Sequence, residues 1–547
     1  MPRPVLKTLR TSLECRMKKI KALAIGFVLF CFCGAGTGAV HASEFQIRIL
    51  PTYTYFLNGI GDISVGGSLS LDFSPLSLRA NDRLFAGAQA TFLNMFEKGI
   101  DSERYIDYGA SLSYSARITD RFYLVPEAFG GIWSITQSKQ NNIPSETGFF
   151  YGGRLTADIH ILPELNVSLF GGYKSLNLIK RQFAHTVHGG IGITYNFTKG
   201  MRYSSNLEVS ETDLSPLFPV FYAHYADNPF GTVTLVNNEE AAITDVNIYF
   251  YNEQYMLVRT LVASYNKIKQ GQAVEVSITA LLNENILTQL SDSVTTGQLT
   301  VEYKLLNKSK DFTETLSFTT LSRNSMTWED DRQAAAFVSP RDSCAQKFAR
   351  QVKSMVKASL RSDIPENLQY AGALFCALKE YGINYVIDPT SAYSDNNGGL
   401  TIDFLQFPYQ TLSYHGGDCD DLSIMNCSLL EALGIKTAFI TIPGHIYIAF
   451  DSGVSIEDAD RLIPGRRYVV SNDRVWIPYE ITLCTDTFDL ALRTGYTQWV
   501  KAGDQAVLIP LQDAWTAFKA VSVPESDTSI QMPDKDKLIK SFKKIQY

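Results

Sequence analysis

The stretch His185-Thr-Val-His-Gly-Gly-Ile-Gly-Ile-Thr-Tyr-Asn-Phe197 sets Val187, Ile191, Ile193, Tyr195 and Phe197 on one parity, with Gly189 between them. Side chains that alternate with a period of two belong to a β-strand with one apolar face. The same alternation recurs upstream in Asp62–Phe73, Tyr105–Ile118, Phe149–His160 and Glu164–Tyr173. From Phe45 to Phe197 it yields about eight strands joined by turn-like segments. Two architectures fit that pattern. One is a barrel with its apolar face outward; the other is a soluble all-β domain with that face buried, and the alternation is the same in both.

The start of the chain favours export. Met17-Lys-Lys-Ile-Lys21 precedes an apolar run through Ala22, Leu23, Ile25, Phe27, Val28, Leu29 and Phe30, and Val40-His41-Ala42 before Ser43 is a small-x-small cleavage site. Residues 1–42 therefore read as a secretory signal with Met17 as the expected start, and the mature chain begins near Ser43. Cys31 and Cys33 lie in the apolar run without a Leu-small-small context and read as apolar signal residues rather than lipid attachment points. No later stretch reaches the ~18 apolar residues of a membrane helix.

About eight is also the smallest number of strands that closes an outer-membrane barrel. The Gly- and Tyr-rich strands of residues 43–200, which lack cysteine and end on the aromatic Phe197, resemble the small outer-membrane β-barrels of diderm bacteria. That resemblance implies outer-membrane lipid as a partner, and an even strand number returns the chain to the periplasm.

At 547 residues the chain is expected to hold roughly three or four domains of ~150 residues each. A hydrophobic content of 45%, a charged content of 19% and a formal net charge of -7 describe folded protein and offer no basic footprint for nucleic acid. Residues 222–322 carry shorter strands, Thr232–Val236, Val246–Phe250, Val274–Ile278 and Gln298–Leu305, separated by polar turns. They suggest an immunoglobulin-like sandwich acting as a spacer. After Pro340 the period becomes helical: Phe348, Val352, Met355 and Val356, then Ala371, Leu374, Phe375 and Leu378. The expected architecture is an all-β N-terminal eight-stranded barrel, a β-sandwich, an α+β thiol domain over 335–502, and a tail over 503–547. In that tail Leu538, Ile539, Phe542 and Ile545 among lysines predict an amphipathic helix.

The mature chain carries Cys344, Cys376, Cys419, Cys427 and Cys484, an odd number, so at least one thiol of an exported protein stays unpaired. The informative one lies in Gly416-Gly417-Asp418-Cys419-Asp420-Asp421-Leu422, followed by Met425, Leu429, Leu430 and Leu433 on one face of a helix that stops at Gly434. Cys419 thus opens a helix, where free amide hydrogens favour a thiolate. Asp420 and Asp421 in the same first turn oppose that effect. A base is needed, and His445, between the strands Thr437–Ile442 and Ile446–Phe450, is the candidate. Glu480, in Trp476-Ile-Pro-Tyr-Glu480-Ile-Thr482, could accept the remaining imidazole proton and orient the ring.

A Gly-Asp-Cys at a helix start, a His opening a strand, and a Trp followed four residues later by an acid before Thr occur here in that order. Together they make Asp388–Thr482, roughly a fifth of the chain, resemble the transglutaminase-like superfamily. The resemblance implies a papain-like core and an acyl-thioenzyme intermediate formed on a protein or peptide substrate, with no cofactor. The family usually carries aspartate where this chain has Glu480. Cys427, mid-helix, has a packing reading, and His415, four residues before Cys419, would be a second base but has no orienting partner in its loop. The segments Val386–Thr390 and Gly398–Pro408 are expected to line the approach to Cys419, with Gln406, Gly417 and Asp418 beside the oxyanion position and the Cys419 amide as one donor. No tetrahedral metal spacing is present, and Asp418, Asp420 and Asp421 lack the rest of an oxygen-rich calcium loop. The leading expectation is an exported cysteine-dependent acyl-transfer enzyme at the outer membrane with its C-terminal domains in the periplasm. The alternative is an outer-membrane structural or adhesin protein whose thiol domain only binds.

Overall fold

The computed structural model describes residues 44–57, 63–75, 82–97, 100–136, 146–177, 183–201, 205–387, 402–523 and 530–547. The expected signal segment lies outside the described residues. Eight strands, β1 (Glu44–Phe56), β2 (Ile63–Ser74), β3 (Arg83–Glu97), β4 (Ile100–Arg117), β5 (Phe122–Thr136), β6 (Glu146–Leu162), β7 (Leu165–Asn177) and β8 (Phe183–Asn196), pair in sequence order into a closed barrel. Antiparallel β1 and β8 close it, with Ile47 opposite Tyr195 and Ile49 opposite Ile193. Strands β4 and β5 approach so closely that a Cβ on Gly131 would lie 2.0 Å from the Tyr108 carbonyl oxygen, which only glycine permits.

The direction of the alternation separates the two architectures left open above. Ile49, Leu155 and Ile191 are 47%, 49% and 63% exposed, while Arg48, Asp72, Glu127 and Thr194 between such residues are buried. The apolar face points outward and the polar face inward, the reverse of a soluble β-domain. Inside, Arg48 reaches Asp72 at 2.7 Å and Glu127 at 2.9 Å, Arg154 reaches Glu127 at 2.7 Å, and Lys174 pairs with Asp107. Charges taken out of water persist only when paired in this way. Side chains fill the barrel, as expected at this strand number.

The chain leaves at the end where it entered, and Phe45 N–H donates to Thr198 Oγ1 at 2.9 Å. Seven strands follow, β9 (Leu207–Leu214), β10 (Gly231–Asn237), β11 (Ile243–Tyr251), β12 (Thr260–Ile268), β13 (Ala273–Ser277), β14 (Ser293–Leu305) and β15 (Lys308–Thr320). They form one sheet ordered β13-β10-β9 and another ordered β12-β11-β14-β15. Turns of these sheets meet the barrel rim through Lys308–Glu164 at 3.0 Å, Lys199–Glu240 at 2.6 Å, and Ala242 N–H donating to Asp120 at 3.2 Å.

The remainder continues the same apolar core, which runs from Val233 and Phe250 through Phe337, Phe348 and Leu374 to Leu538. Short β16 (Ser325–Thr327) pairs with β18 (Ile402–Phe404), and β17 (Asn384–Tyr385) runs parallel to β19 (Gly416–Gly417). Strands β20 (Thr437–Ile442), β21 (His445–Asp451), β22 (Val469–Ser471), β23 (Arg474–Tyr479) and β24 (Val507–Pro510) make a sheet ordered β22-β23-β21-β20-β24. Because β24 pairs with β20, residues 507–510 of the expected tail belong to this sheet. In the terminal helix Lys535–Phe542, Leu538 and Phe542 are buried, and the helix packs against Glu366–Tyr381. Among the described residues no helix is long and apolar enough to cross a membrane.

Candidate active site

The helix Cys419–Ala432 begins at the thiol, with Asp418 as its N-cap accepting from the Asp421 N–H at 3.4 Å. Gly417 before it has no room for a side chain, since a Cβ would fall 2.5 Å from that of Asp421. Cys419 itself is 8% exposed. Cys427, two turns on, is fully buried, and burial drives its thiol far above the ordinary range.

The hairpin β20–β21 turns at Gly444, whose φ of +71° suits glycine, so that Ile442 faces His445 across the ladder. His445 Nε2 donates to Glu480 Oε2 at 2.8 Å, and the ring also lies within electrostatic reach of Cys419. With Nε2 engaged, Nδ1 is the nitrogen left for the thiol. Burial disfavours the charged imidazole, but Cys419 and Glu480 outweigh it and raise His445 to about 10. Glu480 follows the end of β23, which pairs with β21. Its Oε1 accepts from Thr482 Oγ1 at 2.6 Å and from Thr482 N–H at 3.0 Å. Burial would raise this carboxyl; the His445 and Thr482 bonds prevail and hold it below its ordinary value. The structure therefore brings Cys419, His445 and Glu480 together, with the longer glutamate side chain hydrogen-bonded to the ring.

The first-turn carboxyls behave differently from bare anions. Burial first, then the neighbouring Asp418 carboxyl, lifts Asp420 well above the carboxylate range. Asp421 is raised to about 7, chiefly by burial and then by the charge of Asp418. The positive helix end is thus opposed by less negative charge than the sequence suggests. Asp418, Cys419 and Asp420 set one ligand atom each within 4.8 Å of one another, the residues that could hold a metal ion.

The Gln406 backbone N–H donates to Asp421 Oδ1 at 2.7 Å, and its side-chain oxygen is buried without a hydrogen-bond partner. His415 is a helix C-cap in the left-handed region, stacked on Tyr381 at 4.5 Å with Nδ1 3.1 Å from the Tyr381 carbonyl, which is a packing role. Of the expected approach segments, residues 388–401 lie outside the described residues. A residue that sequence reasoning missed is Tyr385. Its Cα lies opposite Gly417 on β17, it is 41% exposed, and its raised phenol reflects burial first and then the charges of Cys419 and Asp418.

No protein-family model matches this sequence, and no curated protein matches it. Among solved structures, the chain is similar to Neisserial surface protein A, with 10% identity and a TM-score of 0.23 over 28% of this chain and 97% of that one. It is also similar to the attachment invasion locus protein of Yersinia pestis in complex with a heparin analogue, with 13% identity and a TM-score of 0.21 over 28% of this chain and 97% of that one. A third similarity is to the N-terminal β-barrel domain of Pseudomonas aeruginosa OprF, with 12% identity and a TM-score of 0.19 over 28% of this chain and 97% of that one.

Proposed function

We propose that this chain is an exported cysteine-dependent acyl-transfer enzyme, anchored in the outer membrane by its own barrel and working in the periplasm. The observation that carries the chemistry is the His445 ring, hydrogen-bonded to buried Glu480 and in electrostatic contact with Cys419 at the helix start. The anchoring rests on the apolar exterior and charged interior of the closed barrel. The two sheets between them, read as an immunoglobulin-like sandwich, present the thiol body at a distance from the membrane.

In the reaction, the Cys419 thiolate adds to an amide carbonyl of a protein or peptide, forming a C–S bond. The oxyanion meets the Cys419 N–H at the helix start. Collapse breaks the C–N bond, and the leaving amine takes the proton from the His445 imidazolium. Water or a second amine, deprotonated by His445, then releases the acyl group and restores the thiolate. Hydrolysis and transamidation share the first half and diverge only at this step.

The test is mass spectrometry of the full-length protein in detergent after treatment with a thiol-directed electrophile at neutral pH. Modification confined to Cys419, and slowed by about 10²-fold or more in His445→Ala, is the expected result. Slow labelling that ignores His445 would replace this reading with the other one, a structural or adhesin protein whose thiol domain only binds.

A further inference from the structure

Glu480 is almost wholly shielded from solvent, and both of its oxygens accept hydrogen bonds. Oε2 receives the His445 Nε2 proton, and Oε1 receives two protons from one residue, the amide and the hydroxyl of Thr482. The amide bond is also the cap of the short helical turn Ile481–Leu483 that begins at Glu480. A glutamate has one more rotatable bond than an aspartate, so an unanchored carboxylate here would sample several orientations relative to the imidazole. We infer that Thr482 is a positioning residue of the thiol site: its hydroxyl and amide together fix the rotamer of Glu480 that turns Oε2 toward His445. The inference rests on the acyl-transfer reading for its purpose, but its geometry stands independently of it.

The other ionisable groups whose charge is coupled to that of Glu480 are the Tyr385, Tyr447 and Tyr479 hydroxyls, from β17, β21 and β23. Cys419, from the nucleophile helix, acts on His445 from the opposite side. Among the described residues, His445 is the one cationic group in an ion pair with Glu480. Orientation of the carboxylate therefore bears directly on how tightly the imidazolium holds its proton.

The experiment follows the His445 ring by NMR in the full-length protein in detergent, with His445→Asn used to assign its signal. Wild type is compared with Thr482→Val, which keeps the amide bond and the shape but removes the hydroxyl donor, and with Thr482→Ser, which restores it. The titration midpoint of His445 is expected to fall by about one pH unit in Thr482→Val, a tenfold change in the proton equilibrium, and to return in Thr482→Ser. A midpoint unmoved in Thr482→Val overturns the inference. So does an equal fall in Thr482→Ser, which would assign the effect to the lost methyl packing. Alkylation of Cys419 in wild type is scored alongside: an inert thiol would defeat the acyl-transfer reading, while the His445 midpoints would still decide the role of Thr482.

Discussion

In the barrel the side chains shielded from the outside include the charged Arg48, Asp72, Glu127 and Arg154 beside a cluster of Phe129, Trp133 and Phe150, whereas in the C-terminal body the shielded set around Phe337, Phe348, Leu374 and Phe439 is apolar. Each arrangement follows from what surrounds it. A barrel that faces lipid has nowhere else to put polar residues, so buried charge inside it carries no information about chemistry. A body that faces water buries charge only at a cost of several kcal/mol per ion, on the order given for isolated groups. The gathering of Glu480, Asp420, Asp421 and His445 around one thiol is therefore evidence of a site, in a way that the barrel's ion pairs are not.

The comparison breaks most visibly if the barrel interior is wet. Glu127 is shared by two guanidinium groups, and Glu127→Leu would leave Arg48 and Arg154 competing for the remaining carboxylates. Loss of about 3–5 kcal/mol is expected for breaking a buried pair of this kind. It would appear as a lower temperature for the heat-induced gel shift in detergent. An unchanged transition would mean that water screens these charges. A second variant tests the outside: Ile191→Arg, at a position 63% exposed, is expected to cost about 2–4 kcal/mol in a bilayer. The same change on a water-facing surface stays within about 0.5 kcal/mol. Urea unfolding in lipid vesicles separates the two.

Much of this was legible in the sequence, for reasons that differ between the regions. Each barrel strand is long enough for a period of two to repeat several times, as Val187, Ile191 and Ile193 show, although the period is silent on which face turns outward. Burial of Arg48 and Thr194 supplies that direction. At the thiol site, Cys419, His445 and Glu480 stand out because each opens or follows a recognisable element. Tyr385 did not, because β17 is two residues long and two residues have no period. Strand β24 was missed for a similar reason, being four residues ending on Pro510. Asp420 was read as an ordinary carboxylate because a sequence gives charge but not burial, and burial is what raises its carboxyl.

The pH dependence of stability sharpens the contrast within the body itself. His445 is raised to about 10 in the folded chain against ~6.5 for an unperturbed imidazole. A raised base stabilises the fold fully below its unfolded value, and the contribution disappears as pH rises through the folded one. His445→Asn is therefore expected to lower the melting temperature of the C-terminal body by a few degrees at pH 6 and by little near pH 10. Trp328, Trp476, Trp499 and Trp515 report that body by fluorescence, with Trp133 alone in the barrel. A deficit that grows with pH would reverse the sign and show that the imidazole is held neutral.

The smallest effect is expected where the two regimes meet. Lys308 bonds Glu164 at 3.0 Å across the junction between the barrel and the sheets that follow it, with side chains 31% and 13% exposed. A partly exposed pair of a flexible lysine contributes about 0–1 kcal/mol, because side-chain entropy and ionic screening offset most of the attraction. The junction also has Lys199–Glu240, the Ala242 amide on Asp120, and Asn307 donating to the Ile161 carbonyl, so no single contact fixes it. Lys308→Ala is accordingly expected to leave the unfolding of both regions nearly unchanged at moderate salt. If instead limited proteolysis cut the variant between residues 197 and 207 while wild type resisted, the ion pair would be a principal tie, and the barrel would hold the thiol body by a hinge rather than by a broad seat.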